Sequence, residues 1–186
     1  MPLLQKSFPE PTGLILAGGR SERMGRDKAL LVCDGEPLIA RAGRVLASVC
    51  SSVLVSVRAD QAQAAPYSDC DLVVDAPGVG GPAAGLLAAW RRSPGAVWLV
   101  LAVDMPRVDE PLLRLLLDAR DPRALATAFE HSDGTLEPLC TVWEPAAHAI
   151  LRAGAQNSNL SLRRVLESST VQRIRPPEPE RLRSIN

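Results

Sequence analysis

Leu14-Ile15-Leu16-Ala17-Gly18-Gly19-Arg20-Ser21-Glu22-Arg23-Met24-Gly25-Arg26-Asp27-Lys28 runs from a short apolar strand into paired glycines, then three arginines, a further glycine and a lysine. Glycines without a Cβ let successive backbone N–H groups face one concavity, and those dipoles together with nearby cations favour a polyanion such as a triphosphate. The chain holds 21 lysines and arginines, yet only Lys6 and Lys28 are lysines. A compact ammonium at 28, in a chain that otherwise uses arginine, points to a charge aimed at phosphate oxygens. The stretch lacks the Gly-Lys-Ser/Thr ending of a P-loop, and its adjacent glycines do not fit the G-x-G-x-x-G dinucleotide pattern. A glycine-rich turn with a solvated basic face is the plainer alternative.

Outward from this stretch, short apolar runs alternate with amphipathic ones, which argues for an α/β fold with a parallel or mostly parallel sheet and crossover helices. The expected strands are Gly13–Ala17, Val53–Val57, Asp71–Val74, Val97–Val103, Ala124–Phe129 and Leu139–Val142, with a last one at Val171–Arg175. Helical spacing aligns Leu38, Ala42, Val45, Leu46 and Val49 after an Asp34-Gly35 turn. Leu86, Leu87, Ala89 and Trp90 form a second apolar face, and Leu112, Leu113, Leu116 and Leu117 a third. Each is read as core packing.

Ligands of open α/β sheets sit outside the carboxyl ends of the strands. Gly18-Gly19 after the first strand, Asp75 after the third and Asp104 after the fourth are therefore expected to share one crevice. The run Ala96 to Val103 is continuously apolar, as in a strand buried on both faces, and it delivers Asp104 at its tip. Such a carboxylate needs a partner. Mg²⁺ fits, since it is held by one or two carboxylates plus substrate phosphates; capping of the helix near Asp109, or ordering of the turn before Pro106, is the structural alternative. Val79-Gly80-Gly81-Pro82-Ala83-Ala84-Gly85-Leu86 enters a helix with Pro82 suited to its first turn. Gly81 there either lets backbone approach a flat ligand or simply starts the helix.

The glycine-rich stretch resembles, over its whole length, the signature of nucleotidyltransferases that make nucleotide-activated cofactors and sugars, and within them the molybdenum cofactor guanylyltransferase (MobA-like) family. Val79 to Leu86 is similar to that family's Gly-Pro-Leu-Ala-Gly segment, with Ala83 for the usual Leu. Glu137-Pro138-Leu139-Cys140 resembles its Glu-Pro-Leu-Cys segment, and Ser161-Leu162-Arg163-Arg164 its Ser-Leu-Arg-Arg helix on the pterin side. Ser56 stands where the family often has Asn, and Ser184-Ile185-Asn186 where it usually reads Asn-Ile-Asn-Thr-Pro.

The resemblance implies a Rossmann-like three-layer αβα fold of the nucleotide-diphospho-sugar transferase type. It implies transfer of GMP from GTP to molybdenum-molybdopterin with release of pyrophosphate. Nucleotide contacts fall on Leu16, Ala17, Gly18, Gly19, Lys28, Ser56, Asp75, Gly81 and Asp104, catalytic roles on Arg23, Lys28 and Asp104, and a Mg²⁺ site on Asp104 and Asn186. Transient contact with molybdopterin-delivering and molybdoenzyme-maturation proteins follows in the same way. Transfer of CMP or AMP by a related enzyme, and a non-catalytic nucleotide or pterin binder, remain as other readings of the same residues.

Composition narrows the field from the other side. At 186 residues and 46% hydrophobic, the chain suits one sizeable core, expected over 12–186 after a short tail at 1–11. Acidic and basic side chains balance at 21 each, which argues against a nucleic-acid surface. Arg91-Arg92 and Arg163-Arg164 read as solvated pairs. Cys33, Cys50, Cys70 and Cys140 lie far apart with no C-x-x-C, so reduced, mostly buried thiols are expected rather than zinc or disulfides. No apolar run approaches the roughly 20 residues of a membrane span, and a cytoplasmic protein is the expectation.

Overall fold

The structure is a computed structural model and describes residues 9–19, 27–63, 65–67, 69–155 and 160–185. In chain order the strands and α-helices are β1 (Thr12–Leu16), β2 (Val32–Cys33), β3 (Glu36–Pro37), α1 (Leu38–Ala47), β4 (Val53–Val57), β5 (Leu72–Val74), α2 (Pro82–Arg92), β6 (Trp98–Ala102), α3 (Glu110–Asp118), β7 (Ala126–Glu130), β8 (Leu136–Trp143), α4 (Ala146–Gly154), α5 (Leu162–Glu167) and β9 (Val171–Ile174). Seven strands form one sheet in the order β5-β4-β1-β6-β8-β7-β9. β5, β4, β1 and β6 are mutually parallel, β8 runs antiparallel to β6 and β7, and β7 pairs parallel with β9. The expected mostly parallel α/β sheet is the one observed.

Both faces of the sheet are covered. One core layer packs Leu38, Leu46, Leu113 and Leu116 of α1 and α3 against Ile15, Leu99 and Leu101. The other packs Leu86 and Trp90 of α2, and Leu151 and Leu166 of α4 and α5, against Leu14, Trp98, Val100 and Trp143. All of β6 is buried, which is why its sequence is unbroken hydrophobic rather than alternating.

Local chemistry sets the element ends. Asp34 and Gly35 take φ of 52° and 81°, the paired left-handed conformation of a two-residue hairpin turn, and so produce β2–β3. Gly81 at φ 66° turns the chain into α2, with Pro82 in its first turn. Asp109 accepts a hydrogen bond from Leu112 N and so caps α3 itself. That leaves Asp104 free of the capping role.

Three departures from the sequence reading have physical causes. β8 extends to Leu136–Trp143, past Pro138, because the pairing with β7 is irregular between Ala128 and Glu130 and the proline falls in that interruption. α4 was not expected: its alanines dilute the apolar periodicity, and only Ala147 and Leu151, four apart, are buried. Helix α1 ends at Ala47, so Val49 packs on the core from the following turn. The expectations for Arg23, Asn186 and most of the 1–11 tail fall outside the described residues.

Candidate active site

The chain passes from β5 at one side of β1 to β6 at the other, which makes the carboxyl ends of β1 and β6 a topological switch point. The tips are fastened together: Ala17 N donates to Ser56 O at 2.9 Å, Val103 N to Leu16 O at 3.1 Å, and Asp75 N to Val57 O at 2.9 Å. Above them opens a cavity of about 570 Å³, within the range of ligand pockets. Leu16, Ala17, Gly18, Gly19, Lys28, Ser56, Asp75, Gly81 and Asp104 all line it. The expected convergence of the three strand tips on one crevice is the geometry observed.

Lys28 and Asp104 meet at its edge. The ammonium lies 3.1 Å from Asp104 Oδ2 and also donates to the Ile185 carbonyl at 3.0 Å, while Ile185 N donates to the Asp104 carbonyl at 2.8 Å. Two of the three lysine donors are thus directed at fixed acceptors, and a third direction is left for a ligand oxygen. Lys28 is placed by a single 3₁₀ turn, Lys28–Leu30, which Asp27 caps by accepting from Ala29 N at 3.0 Å.

Opposite stands Asp75, to which the Ser56 hydroxyl donates. Burial pushes the Asp75 carboxyl above its ordinary range, opposed by that hydrogen bond and by the Arg58 guanidinium. Gly18 is required here for space rather than for backbone freedom: a Cβ would fall inside van der Waals contact of Asp75 Oδ2. Gly85 of α2 serves the same end, since its Cβ would strike Ser56 and come within 2.8 Å of Leu16 Cδ2. Small residues at 18 and 85 are what allow Ser56 and Asp75 to sit together beneath the cavity.

Arg58 also lines the cavity and was not singled out from the sequence. Its Nη1 donates to the carbonyls of Gly18 at 3.1 Å and Gly19 at 2.9 Å, and its Nε and Nη2 bind the Asp60 carboxylate. As the first residue after β4, it obeys the strand-tip rule that located Asp75 and Asp104. Of the Glu137-Pro138-Leu139-Cys140 segment, Leu139 reaches the cavity. Glu137 is buried and turned to His131, 3.2 Å away, and to Leu139 N at 2.8 Å. Cys140 is fully buried, and burial pushes its thiol far up, so it is packing rather than a nucleophile. All four cysteines are free thiols, Cys50 and Cys140 buried and Cys33 and Cys70 half-buried.

Strand order and the switch-point crevice define an α/β domain with a ligand pocket at its strand tips, and the family it matches makes it a nucleotidyltransferase domain. The chain belongs to the MobA-like NTP transferase domain family, whose model matches residues 13–174. It is 35% identical over 183 residues to a molybdenum cofactor guanylyltransferase of Pseudomonas putida, with 94% of this chain and 92% of that protein covered. It is 33% identical over 176 residues to a molybdenum cofactor biosynthesis bifunctional protein of Synechocystis sp., covering 94% of this chain and spanning 50% of that longer protein. Among solved structures, molybdopterin-guanine dinucleotide biosynthesis protein A from Archaeoglobus fulgidus superposes with a TM-score of 0.74 at 21% identity, over 88% of this chain and 83% of that one.

Proposed function

We propose that this chain transfers GMP from GTP to the terminal phosphate of molybdenum-molybdopterin, releasing pyrophosphate and forming the guanine dinucleotide cofactor. The observation that carries the reading is the Lys28–Asp104 pair at the mouth of a switch-point cavity floored by Gly18-Gly19. The guanylyltransferase names of relatives aligned over nearly the whole chain support the choice of guanine and pterin.

In this reading the base and ribose lie towards Asp75 and α2, against the backbone of Gly81, and the phosphates run towards Lys28. The attacking phosphate is already ionised near neutrality, so no general base is required. Lys28 and the backbone N–H groups of the glycine turn stabilise the charge that gathers on the departing pyrophosphate, and Arg23 acts with them. Preorganised donors of this kind do most of the work when no covalent intermediate forms.

Asp104 suits a divalent cation. Among the described residues no cluster of three or more His, Cys, Asp or Glu surrounds it, and its carboxylate is partly exposed at the cavity edge. A single carboxylate with the remaining positions taken by phosphate oxygens and water is the donor set Mg²⁺ accepts. When bound there, with Asn186 as a second contact, Mg²⁺ supplies Lewis-acid neutralisation of the α-phosphoryl oxygens.

Among the described residues no helix is long and apolar enough to cross a membrane, and we place the reaction in the cytoplasm, in transient contact with proteins that deliver molybdopterin and mature molybdoenzymes. Incubation with GTP, CTP or ATP, Mg²⁺ and molybdopterin, followed by product mass and pyrophosphate release, tests the proposal. A guanine dinucleotide formed from GTP is expected. Product from CTP or ATP alone would reassign the base, and GTP binding without pyrophosphate release would reduce the chain to a binder.

A further inference from the structure

We infer that Gln61 and Tyr67, on the segment between β4 and β5, are positioning residues that hold Lys28 and the glycine turn in register for the triphosphate. The inference rests on the guanylyltransferase reading above. Asp27, immediately before Lys28, accepts at Oδ2 from Gln61 Nε2 and from the Tyr67 hydroxyl, each at 2.8 Å. Its other oxygen caps the turn that carries Lys28.

Gln61 reaches both sides of the glycine-rich stretch. Its Nε2 bonds Asp27 on one side and the Ala17 carbonyl, at 3.4 Å, on the other, while its Oε1 accepts from Arg58 N at 3.1 Å. Arg58 in turn holds the Gly18 and Gly19 carbonyls. A trans peptide sets its N–H opposite its C=O, so anchoring the Gly18 carbonyl also fixes the direction of the Gly19 N–H. One short segment therefore orients the backbone donors and the ammonium together.

The burial of these groups marks the arrangement as built. Tyr67 is 0% exposed and Gln61 6%, and a buried amide or phenol is stable only while its polar atoms are paired. An apolar side chain would fill either position as well, were packing the sole requirement. What the polar atoms add is direction at Asp27, one residue from Lys28, through contacts spanning 34 and 40 residues of sequence.

Tyr67→Phe removes one hydroxyl without changing the buried ring, and Gln61→Met removes both amide functions at similar volume. Binding of GTP and of GMP is measured for each, with Mg²⁺ present. Loss of a hydrogen bond to a charged group predicts GTP binding weaker by about tenfold, with GMP, which lacks the outer phosphates, within about twofold of wild type on the same reasoning. In a Lys28→Ala background Tyr67→Phe should then weaken GTP no further, as residues acting as one unit are not additive. GTP binding unchanged in both variants, or GTP and GMP weakened alike, would overturn the inference while leaving the guanylyltransferase reading intact. A wild-type chain that binds no GTP would overturn both.

Discussion

Lys28 Nζ lies 3.1 Å from Asp104 Oδ2, and the main chain of Ile185 bonds both residues. The two side chains are 25% and 21% exposed, and a partly exposed pair of this kind contributes about 1 kcal/mol or less to stability. Its value is therefore in chemistry. Lys28→Ala should lower kcat/KM for GTP roughly 10²- to 10³-fold, the usual loss when one preorganised donor to a transition-state oxyanion is removed. The same variant should melt close to wild type. Steady-state pyrophosphate release and a thermal melt check both halves, and an unchanged rate would remove Lys28 from the mechanism.

Asp104 bears the metal prediction. Chelation with EDTA should stop turnover and added Mg²⁺ should restore it, because one protein carboxylate leaves the ion readily exchangeable. Asp104→Ala should abolish metal-dependent activity while the domain stays folded, since the side chain sits at a cavity edge rather than in the core. Titrating Mg²⁺ against rate for both proteins measures this, and full activity in Asp104→Ala would place the cation elsewhere.

Gly18 and Gly85 should fail differently when given a methyl group. At Gly18 the new Cβ meets the end of the Asp75 side chain, which must leave its Ser56 hydrogen bond, so Gly18→Ala should raise the KM for GTP with a small change in stability. At Gly85 the Cβ meets Ser56 near its own Cβ, at 2.9 Å, as well as Leu16. The Ser56 Cβ is fixed to its strand and cannot swing aside. Gly85→Ala should cost about 1–3 kcal/mol, the range for overpacked cores, read from denaturant unfolding.

Much of this site was legible in the sequence because strand tips are legible. Hydrophobic runs locate strands, and the residues just past them, Gly18-Gly19, Asp75 and Asp104, fall at the switch point. Arg58 follows the same rule and was visible in principle. Gln61 and Tyr67 were not, because they act through side-chain contacts to Asp27 across a stretch without regular periodicity. Ile185 contributes through its backbone N–H and C=O, so its side-chain identity carries no signal. Pro138 and the alanines of α4 hid ordinary elements, since periodicity and propensity are blind to a strand irregularity and to small buried residues.

Asp75 should make stability depend on pH in a diagnosable direction. Its native pKa is raised above the ordinary 3.8, with burial as the largest cause. In the window between those two values the folded chain binds more protons than the unfolded one, so stability falls as pH rises through it. Above that window the ionised, half-buried carboxylate is therefore a destabilising group. Asp75→Asn keeps an oxygen to accept from Ser56 and removes the charge, so it should melt higher than wild type at pH 7, with the gap closing as pH falls towards 3.8. The same variant should bind GTP more weakly, a stability–activity trade-off. Parallel melts across pH decide it, and a gap that does not change with pH would show that the carboxylate is not the source.

Ile185 offers a test that separates main chain from side chain. Its N–H and C=O hold Asp104 and Lys28 respectively, whereas its side chain only packs against the edge of one core layer. Ile185→Ala retains both hydrogen bonds and should leave kcat/KM for GTP within a few-fold of wild type. Ending the chain after Arg183 removes both, freeing the Lys28 ammonium and the Asp104 main-chain carbonyl from a shared anchor, and a chain ended after Ile185 is the control for the accompanying loss of Asn186. The truncated chain should therefore lose activity well beyond both the alanine variant and the chain ended after Ile185 while keeping its cooperative melt, because the sheet ends at Ile174 and the buried residues of both core layers end by Leu182. Equal activity in the chains ended after Arg183 and after Ile185 would show that the backbone contacts at 185 do not position the pair.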